Sequence, residues 1–304
     1  MSNNQSKSVV IVAFFANLFI AISKFAVFFL TKSSSILSEA IHSVADTGNQ
    51  ILLLVGMAKA EKKADSSHPF GYGKEQFFWA FMVAVFLFSI GGLYSFIEGI
   101  EKIRHSHPVE NLLIAVGLLI ISIILEGISF IKANKEINKL KGNLTVFGYM
   151  RKSFRAELVV VFFEDFAALI GLSIALVFIL LSYFTGNPVY DGIGSVLIGI
   201  LLMVIAFLIG REMKSLIIGE AMPEKVKNFI VKTFKNKKGV LEIADFKSMV
   251  LGENSMLAAL EIVFEKDLNT EEIRKIIDEA EREITKKFPE VKNVYVEPRV
   301  KNND

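Results

Sequence analysis

The stretch LSEAIHSVADTGNQ, residues 37–50, lies within an apolar run yet carries Glu39, His42 and Asp46. Residues three and four apart on a helix stack on one face, one turn above another. His42 and Asp46 are separated by about 6 Å of helical rise and can converge on one ion. Ionisable groups in a membrane helix are costly and usually mark an ion path or a proton relay. The alternative is a helix-end cluster facing water, against which both flanks remain apolar enough to span.

Composition points the same way. The chain is 52% hydrophobic with a mean hydropathy of +0.48, high for a soluble domain of 304 residues. Apolar residues dominate from residue 8 to about 218, whereas residues 220–304 read as soluble. The sequence contains no cysteine, which excludes disulfides and thiolate metal sites. Its histidines are His42, His68, His105 and His107. A net charge of +2 gives no reason to expect nucleic acid as a partner. The first apolar run exceeds a signal-peptide core in length and reads as an uncleaved span.

A span needs about 20 apolar residues. The candidates are Val9–Leu30, Ile36–Met57, Phe77–Ile100, Leu112–Phe130, Leu158–Phe184 and Ile193–Ile209. An even number of spans leaves both termini on one side. One set of loops holds Lys59, Lys62, Lys63, Lys74, Lys132, Lys135, Lys139, Lys141, Arg151, Lys152 and Arg155. The opposite set holds Lys32, Lys102 and Arg104. The positive-inside rule then makes both termini cytoplasmic, in a cell (inner) membrane protein. The expected domains are 1–219, transmembrane, and 220–304, cytoplasmic.

Other spans are also polar in places. The first contains Asn17 and Lys24, and the fourth contains Glu126. Interhelical hydrogen bonding or charge pairing accounts for these three, and Glu39, Asn17 and Glu126 are candidate supporting groups for a site. The fifth span contains the adjacent pair Glu164 and Asp165. Neighbouring helical residues point about 100° apart, so one of the two faces the bundle centre and the other meets a neighbouring helix or takes up a proton.

The loop after the second span, KKADSSHPFGYGKEQF, places Asp65 three residues before His68. A carboxylate and an imidazole at this spacing can hold a divalent ion at the membrane surface; equally, His-Pro-Phe-Gly can simply shape a turn. His105 and His107 read as a solvated loop. Beyond Gly219, Pro223 opens a helix with Val226, Phe229, Ile230, Thr233 and Phe234 on one face. Strands are expected at Glu242–Val250, Met256–Phe264 and Val291–Val296. Asn269 and Glu272 form a capping-box pattern ahead of a helix aligned on Ile273, Ile276, Ile277, Ala280 and Ile284. The order α-β-β-α-β suits a small sheet with helices on one face.

These features together resemble the cation diffusion facilitators, a family of proton-coupled divalent-metal exporters. The resemblance is carried by the six spans, LSEAIHSVADTGNQ, ADSSHPFGYGKEQ and YDGIGSVLIG, and by GVLEIADFKSMVLG, ALEIVFEKDL and FPEVKNVYVEP in the C-terminal part. It implies a six-helix transmembrane bundle followed by a small cytoplasmic α+β domain of ferredoxin-like, metallochaperone-like kind that holds a homodimer in the lipid bilayer. It implies an intramembrane metal site of His42 and Asp46 from the second span with Asp165 and Glu164 from the fifth. In the fifth span the family pattern places Asp165 at its second position and Val161 at its first; Glu164 is the nearest replacement, and a one-residue shift would make it the principal ligand. The Glu-Asp pair is similar to a zinc-transporter-nine-like branch. Asp65 and His68 match family loop ligands, with Tyr72 in place of a third histidine. Ala244, Glu261 and Tyr295 stand at the usual cytoplasmic histidine positions, so the family's cytoplasmic zinc cluster is not expected.

The implied function is export of a divalent cation, zinc foremost with manganese or ferrous iron as alternatives, in exchange for protons and by alternating access, with no prosthetic group and no enzymatic reaction. An intramembrane metallohydrolase would need a positioned water and a general base, and the chain has no HExxH motif. A membrane scaffold or metal sensor that keeps the fold without transporting is the remaining alternative.

Overall fold

The computed structural model describes residues 2–142, 144–150 and 154–300. Arg151 and Lys152, counted above in the positive loops, lie outside the described residues, as do the side chains of Lys132 and Lys139. The chain divides into two compact units, Met1–Met57 with Phe78–Met213 and Ala58–Phe77 with Lys214–Asp304. The loop after the second span thus groups with the C-terminal residues, a division that the boundary expected at residue 219 does not contain.

The first unit is built of long helices: α1 (Ser2–Thr31), α2 (Ser34–Ala60), α3 (Glu75–Phe86), α4 (Tyr94–Arg104), α5 (Leu112–Leu140), the short α6 (Val146–Met150), α7 (Ala156–Thr185) and α8 (Val189–Ile218). A π-helical segment, Leu87–Leu93, joins α3 to α4 without a break, so Glu75–Arg104 is one continuous span. Among the described residues, four helices are long and apolar enough to cross a membrane: Glu75–Arg104, Leu112–Ile131, Leu158–Thr185 and Val189–Ile218. In α1 the apolar stretch with described side chains is Asn17–Thr31. Helix α2 has the length of a span at 27 residues, but its serines, Glu39, His42, Asp46, Asn49 and Gln50 dilute its apolarity. Every expected span lies within one of these six helical stretches.

In a bilayer the apolar surface of a helix gains nothing by leaving lipid, so association relies on close packing and hydrogen bonds. Small residues provide the first. A Cβ added at Gly99 would lie 2.6 Å from the backbone nitrogen of Val196, and one at Gly199 would lie 2.5 Å from that of Phe96. Helices α4 and α8 therefore meet backbone to backbone. Serines provide the second: Ser195 of α8 bonds to both Ser38 of α2 and the Ser95 carbonyl of α4.

The second unit contains α9 (Glu224–Lys235), β1 (Val240–Gly252), β2 (Ser255–Phe264), α10 (Thr270–Lys287) and β3 (Val291–Val300). Strands β1 and β2 form an antiparallel hairpin, and β3 adds to β2 in parallel, giving the sheet order β1-β2-β3. A parallel neighbour needs a crossover, which α10 supplies. Met256, Ala258, Leu260, Ile262 and Phe264 alternate inward along β2. Val226, Ile230 and Phe234 of α9 and Ala280 and Ile284 of α10 are buried as well, in the apolar core of this unit with Met222, Val250 and Val291. The capping box is formed, with Glu272 N–H donating to Asn269 Oδ1 and Asn269 N–H donating to Glu272 Oε2. Strand β3 runs past the expected end at Val296 because β2 continues to offer it a partner, up to Phe264 opposite Val300.

Candidate functional site

Helix α2 carries three of the candidate groups, Glu39, His42 and Asp46, and its start is fixed from outside. The first N–H groups of a helix lack intrahelical acceptors. Here the carboxylate of Asp191, at the start of α8, accepts them: Ser34 N–H donates to Oδ2 (2.8 Å) and Ser35 N–H to Oδ1 (3.3 Å). Ser33 Oγ adds a bond to Oδ1 (2.7 Å), and Ser35 Oγ donates to the Asp191 carbonyl (2.8 Å). Asp191 is completely buried, so α2 begins from an anchored point.

Two turns further on, His42 Nδ1 and Asp46 Oδ1 are 3.5 Å apart, with His42 1% exposed. Both imidazole nitrogens and Asp46 Oδ1 are buried without a hydrogen-bond partner among the described residues. Buried polar groups are normally bonded, and these unsatisfied atoms lie together on one stripe of α2. One turn beyond Asp46, Asn49 Nδ2 donates to Glu164 Oε1 of α7 at 2.6 Å. Glu164 is buried, and the same stripe of α2 thus reaches it. Asp165, half-buried, turns toward α5 and accepts from Ser129 Oγ at 3.2 Å. The two adjacent carboxylates face different helices, as their 100° separation demands. Glu126 of α5 lies within electrostatic range of Asp46, Glu164 and Asp165. Lys24 of α1 is charge-paired with Glu39 (3.2 Å). Asn17 is half-buried on α1. Among the described residues no three His, Asp or Glu groups converge tightly enough to hold an ion as they stand. His42 and Asp46 are in contact; Glu164 reaches them through Asn49's turn of the helix.

The loop pair is arranged differently. Asp65 Oδ1 accepts from the N–H groups of Ser67 (3.0 Å) and His68 (2.8 Å), and Oδ2 accepts from the Tyr72 hydroxyl (2.8 Å). Lys62 Nζ stands 3.4 Å from the same carboxylate. The Tyr72 hydroxyl first, then the His68 N–H, hold the Asp65 carboxyl down at about 2. Lys62 also donates to the Tyr72 oxygen at 3.0 Å and lies over its ring. The His68 ring stacks on Tyr72, with Nδ1 3.8 Å from Asp65 Oδ1. In the C-terminal sheet, Glu261 pairs with Arg299 at 3.0 Å and Tyr295 meets the ring edge of Phe70. His105 is bonded to Glu101 at the exposed end of α4.

The description of the cation efflux transmembrane domain matches residues 10–218, and that of the cation efflux protein cytoplasmic domain matches residues 222–298. The chain belongs to the cation efflux family. It is 34% identical over 267 residues to metal tolerance protein C4 of Arabidopsis thaliana, covering 87% of this chain and 58% of that one. It is 34% identical over 260 residues to the human proton-coupled zinc antiporter SLC30A9, mitochondrial, covering 84% and 46%. This cation efflux chain therefore spans only about half the length of those two relatives. With the cadmium, cobalt and zinc/H(+)-K(+) antiporter of Bacillus subtilis it shares 26% identity over 281 residues, 91% of this chain and 84% of the relative.

Several residues of this cation efflux protein escaped the sequence reading. Asn49 lies inside the quoted stretch, three after Asp46 and seven after His42, so helical spacing alone places it on the same stripe. Asp191 stands in YDGIGSVLIG, and its role is invisible without the fold because its partners lie more than 150 positions earlier. Gly171 has no sequence signal: a Cβ there would sit 2.6 Å from Glu39 Oε1.

Proposed function

We propose that this cation efflux protein is a divalent-metal/proton antiporter with zinc as its principal substrate. The observation that carries the reading is the close pair His42 and Asp46, whose ring nitrogens and Oδ1 are buried with no hydrogen-bond partner among the described residues, inside a bundle of apolar spans. An imidazole among carboxylates suits zinc, and the oxygen-rich surroundings also suit manganese or ferrous iron. The names of the relatives, a zinc antiporter and a cadmium, cobalt and zinc antiporter, support the class.

In this reading, the metal is substrate and the protein supplies three groups. His42 and Asp46 bind it from α2, and Glu164 from α7, oriented by its bond from Asn49, is the third ligand. Asp165 and Glu126 stand behind as carboxylates on the proton path, and Asn17 lies farther along α1. Metal ligands must be deprotonated, so metal and protons compete for the same groups. That competition couples the two gradients once the bundle alternates between its two openings. Asp65 and His68 serve as a peripheral cation stop only if the bonds from Ser67, His68 and Tyr72 are given up. Both termini lie in the cytoplasm by the distribution of Lys and Arg, the protein resides in the cell membrane, and the C-terminal domain holds a homodimer.

Flux of zinc, manganese and ferrous iron into proteoliposomes, read with an internal pH dye, tests the proposal. Zinc movement with opposite proton movement is the expected result. Proton-coupled flux of manganese or iron alone would transfer the substrate to that metal, and absence of flux for all three would leave a membrane scaffold or sensor.

A further inference from the structure

The transport chemistry just described makes no use of Lys24, yet Lys24 is 1% exposed in the interior of the bundle. Its Nζ is 3.2 Å from Glu39 Oε2 and 2.8 Å from Ser43 Oγ. Glu39, also 1% exposed, lies three residues before His42 and seven before Asp46, so all three share one stripe of α2. Its other oxygen, Oε1, has no hydrogen-bond partner among the described residues and points at α7, where Gly171 leaves room for it. Lys24 is within electrostatic range of His42, Asp46 and Glu126 as well as Glu39. The bundle therefore places one fixed ammonium and one extra carboxylate a single turn from the candidate ion site.

We infer that Lys24 is the charge-setting residue of the transport site: its ammonium neutralises Glu39, so that a divalent ion at His42 meets the charges of Asp46 and the α7 carboxylates alone. The inference rests on the proposed transport reading. A cation in low-dielectric surroundings acts over several ångströms. Without Lys24, the stripe presents a second carboxylate to the ion, which binds more tightly and leaves more slowly. Without Glu39, the ammonium is uncompensated and repels the ion. The pair thus sets affinity at a level from which the ion can be released.

A plain structural staple between α1 and α2 predicts something different. Loss of either partner would lower folding yield, with no opposed shifts in apparent affinity. The experiment is zinc flux in proteoliposomes, with KM and maximal rate measured for wild type, Lys24→Met, Glu39→Gln and the double variant. Lys24→Met is expected to lower KM about fivefold and reduce the maximal rate, and Glu39→Gln to raise KM about fivefold. The double variant should return to within about twofold of wild type. If Lys24→Met does not fold, the rise in KM of Glu39→Gln and its reversal in the double variant carry the test. Unchanged KM values, or shifts in the same direction, overturn the inference while leaving the transport reading intact. Absence of zinc flux in wild type overturns the transport reading and the inference with it.

Discussion

Two parts of this protein place a histidine and an aspartate within one helical turn's reach in sequence, and the structure treats them in opposite ways. On α2, His42 is buried and Asp46 half-buried, and three of their polar atoms have no hydrogen-bond partner among the described residues. In the loop, both oxygens of Asp65 are engaged by Ser67, His68 and Tyr72 at the exposed surface. The residue types are the same, but what surrounds them decides what they offer. A bilayer interior supplies no water, so a donor or acceptor left open there is expensive, and in the proposed reading the cargo satisfies it. A surface loop can satisfy a carboxylate from its own backbone, and such an Asx turn is complete without a metal.

The largest effects should follow from emptying the buried side of this contrast. His42→Ala and Asp46→Ala each reduce zinc flux by about 100-fold or more, since loss of an outer partner already costs 10- to 100-fold at metal sites. Normal size-exclusion behaviour of the variants shows that the fold survives. Next comes α7. Glu164→Gln lowers flux more than Asp165→Asn because Glu164 is the carboxylate directed at α2, and Asn49→Ala lowers it about tenfold through that same residue. Equal losses in Glu164→Gln and Asp165→Asn would return the two carboxylates to equal standing.

The smallest effect belongs to the loop. Asp65→Asn should change zinc flux by less than about twofold, because a weak two-ligand site contributes little. Its consequence is local order instead. The Asp65 carboxyl is held down at about 2 from an ordinary 3.8, so its bonds favour the folded loop above the ordinary value. That contribution is lost as pH falls through about 2. Amide exchange at Ser67 and His68 should be faster in Asp65→Asn than in wild type at neutral pH, with the difference vanishing toward pH 2.

Most of the architecture was legible in the sequence because lipid and small soluble domains both impose strict patterns. Apolar runs of span length, the capping box at Asn269 and the alternation of Met256 to Phe264 need no knowledge of distant neighbours. The candidate site was legible as far as one helix reaches: Glu39, His42 and Asp46 are related by helical spacing. What one helix presents to another was not. Whether Glu164 or Asp165 faces α2 depends on the rotation of α7, which Asn49 and Ser129 reveal from opposite sides. The pairing of Lys24 with Glu39 was foreseeable as a kind of contact but not as a partner, and the anchoring of α2 by Asp191 was out of reach. In the loop, spacing suggested a ligand pair, while the hydrogen-bond count around Asp65 depended on where Tyr72 would fold back.

The central claim is that the buried stripe of α2, rather than the loop, holds the transported ion. Zinc K-edge X-ray absorption on the purified protein with one equivalent of zinc tests it most directly. The account predicts a shell of oxygen and nitrogen neighbours with a single imidazole, altered in His42→Ala and unchanged in Asp65→Asn. A spectrum that changes in Asp65→Asn and is indifferent to His42→Ala would contradict it.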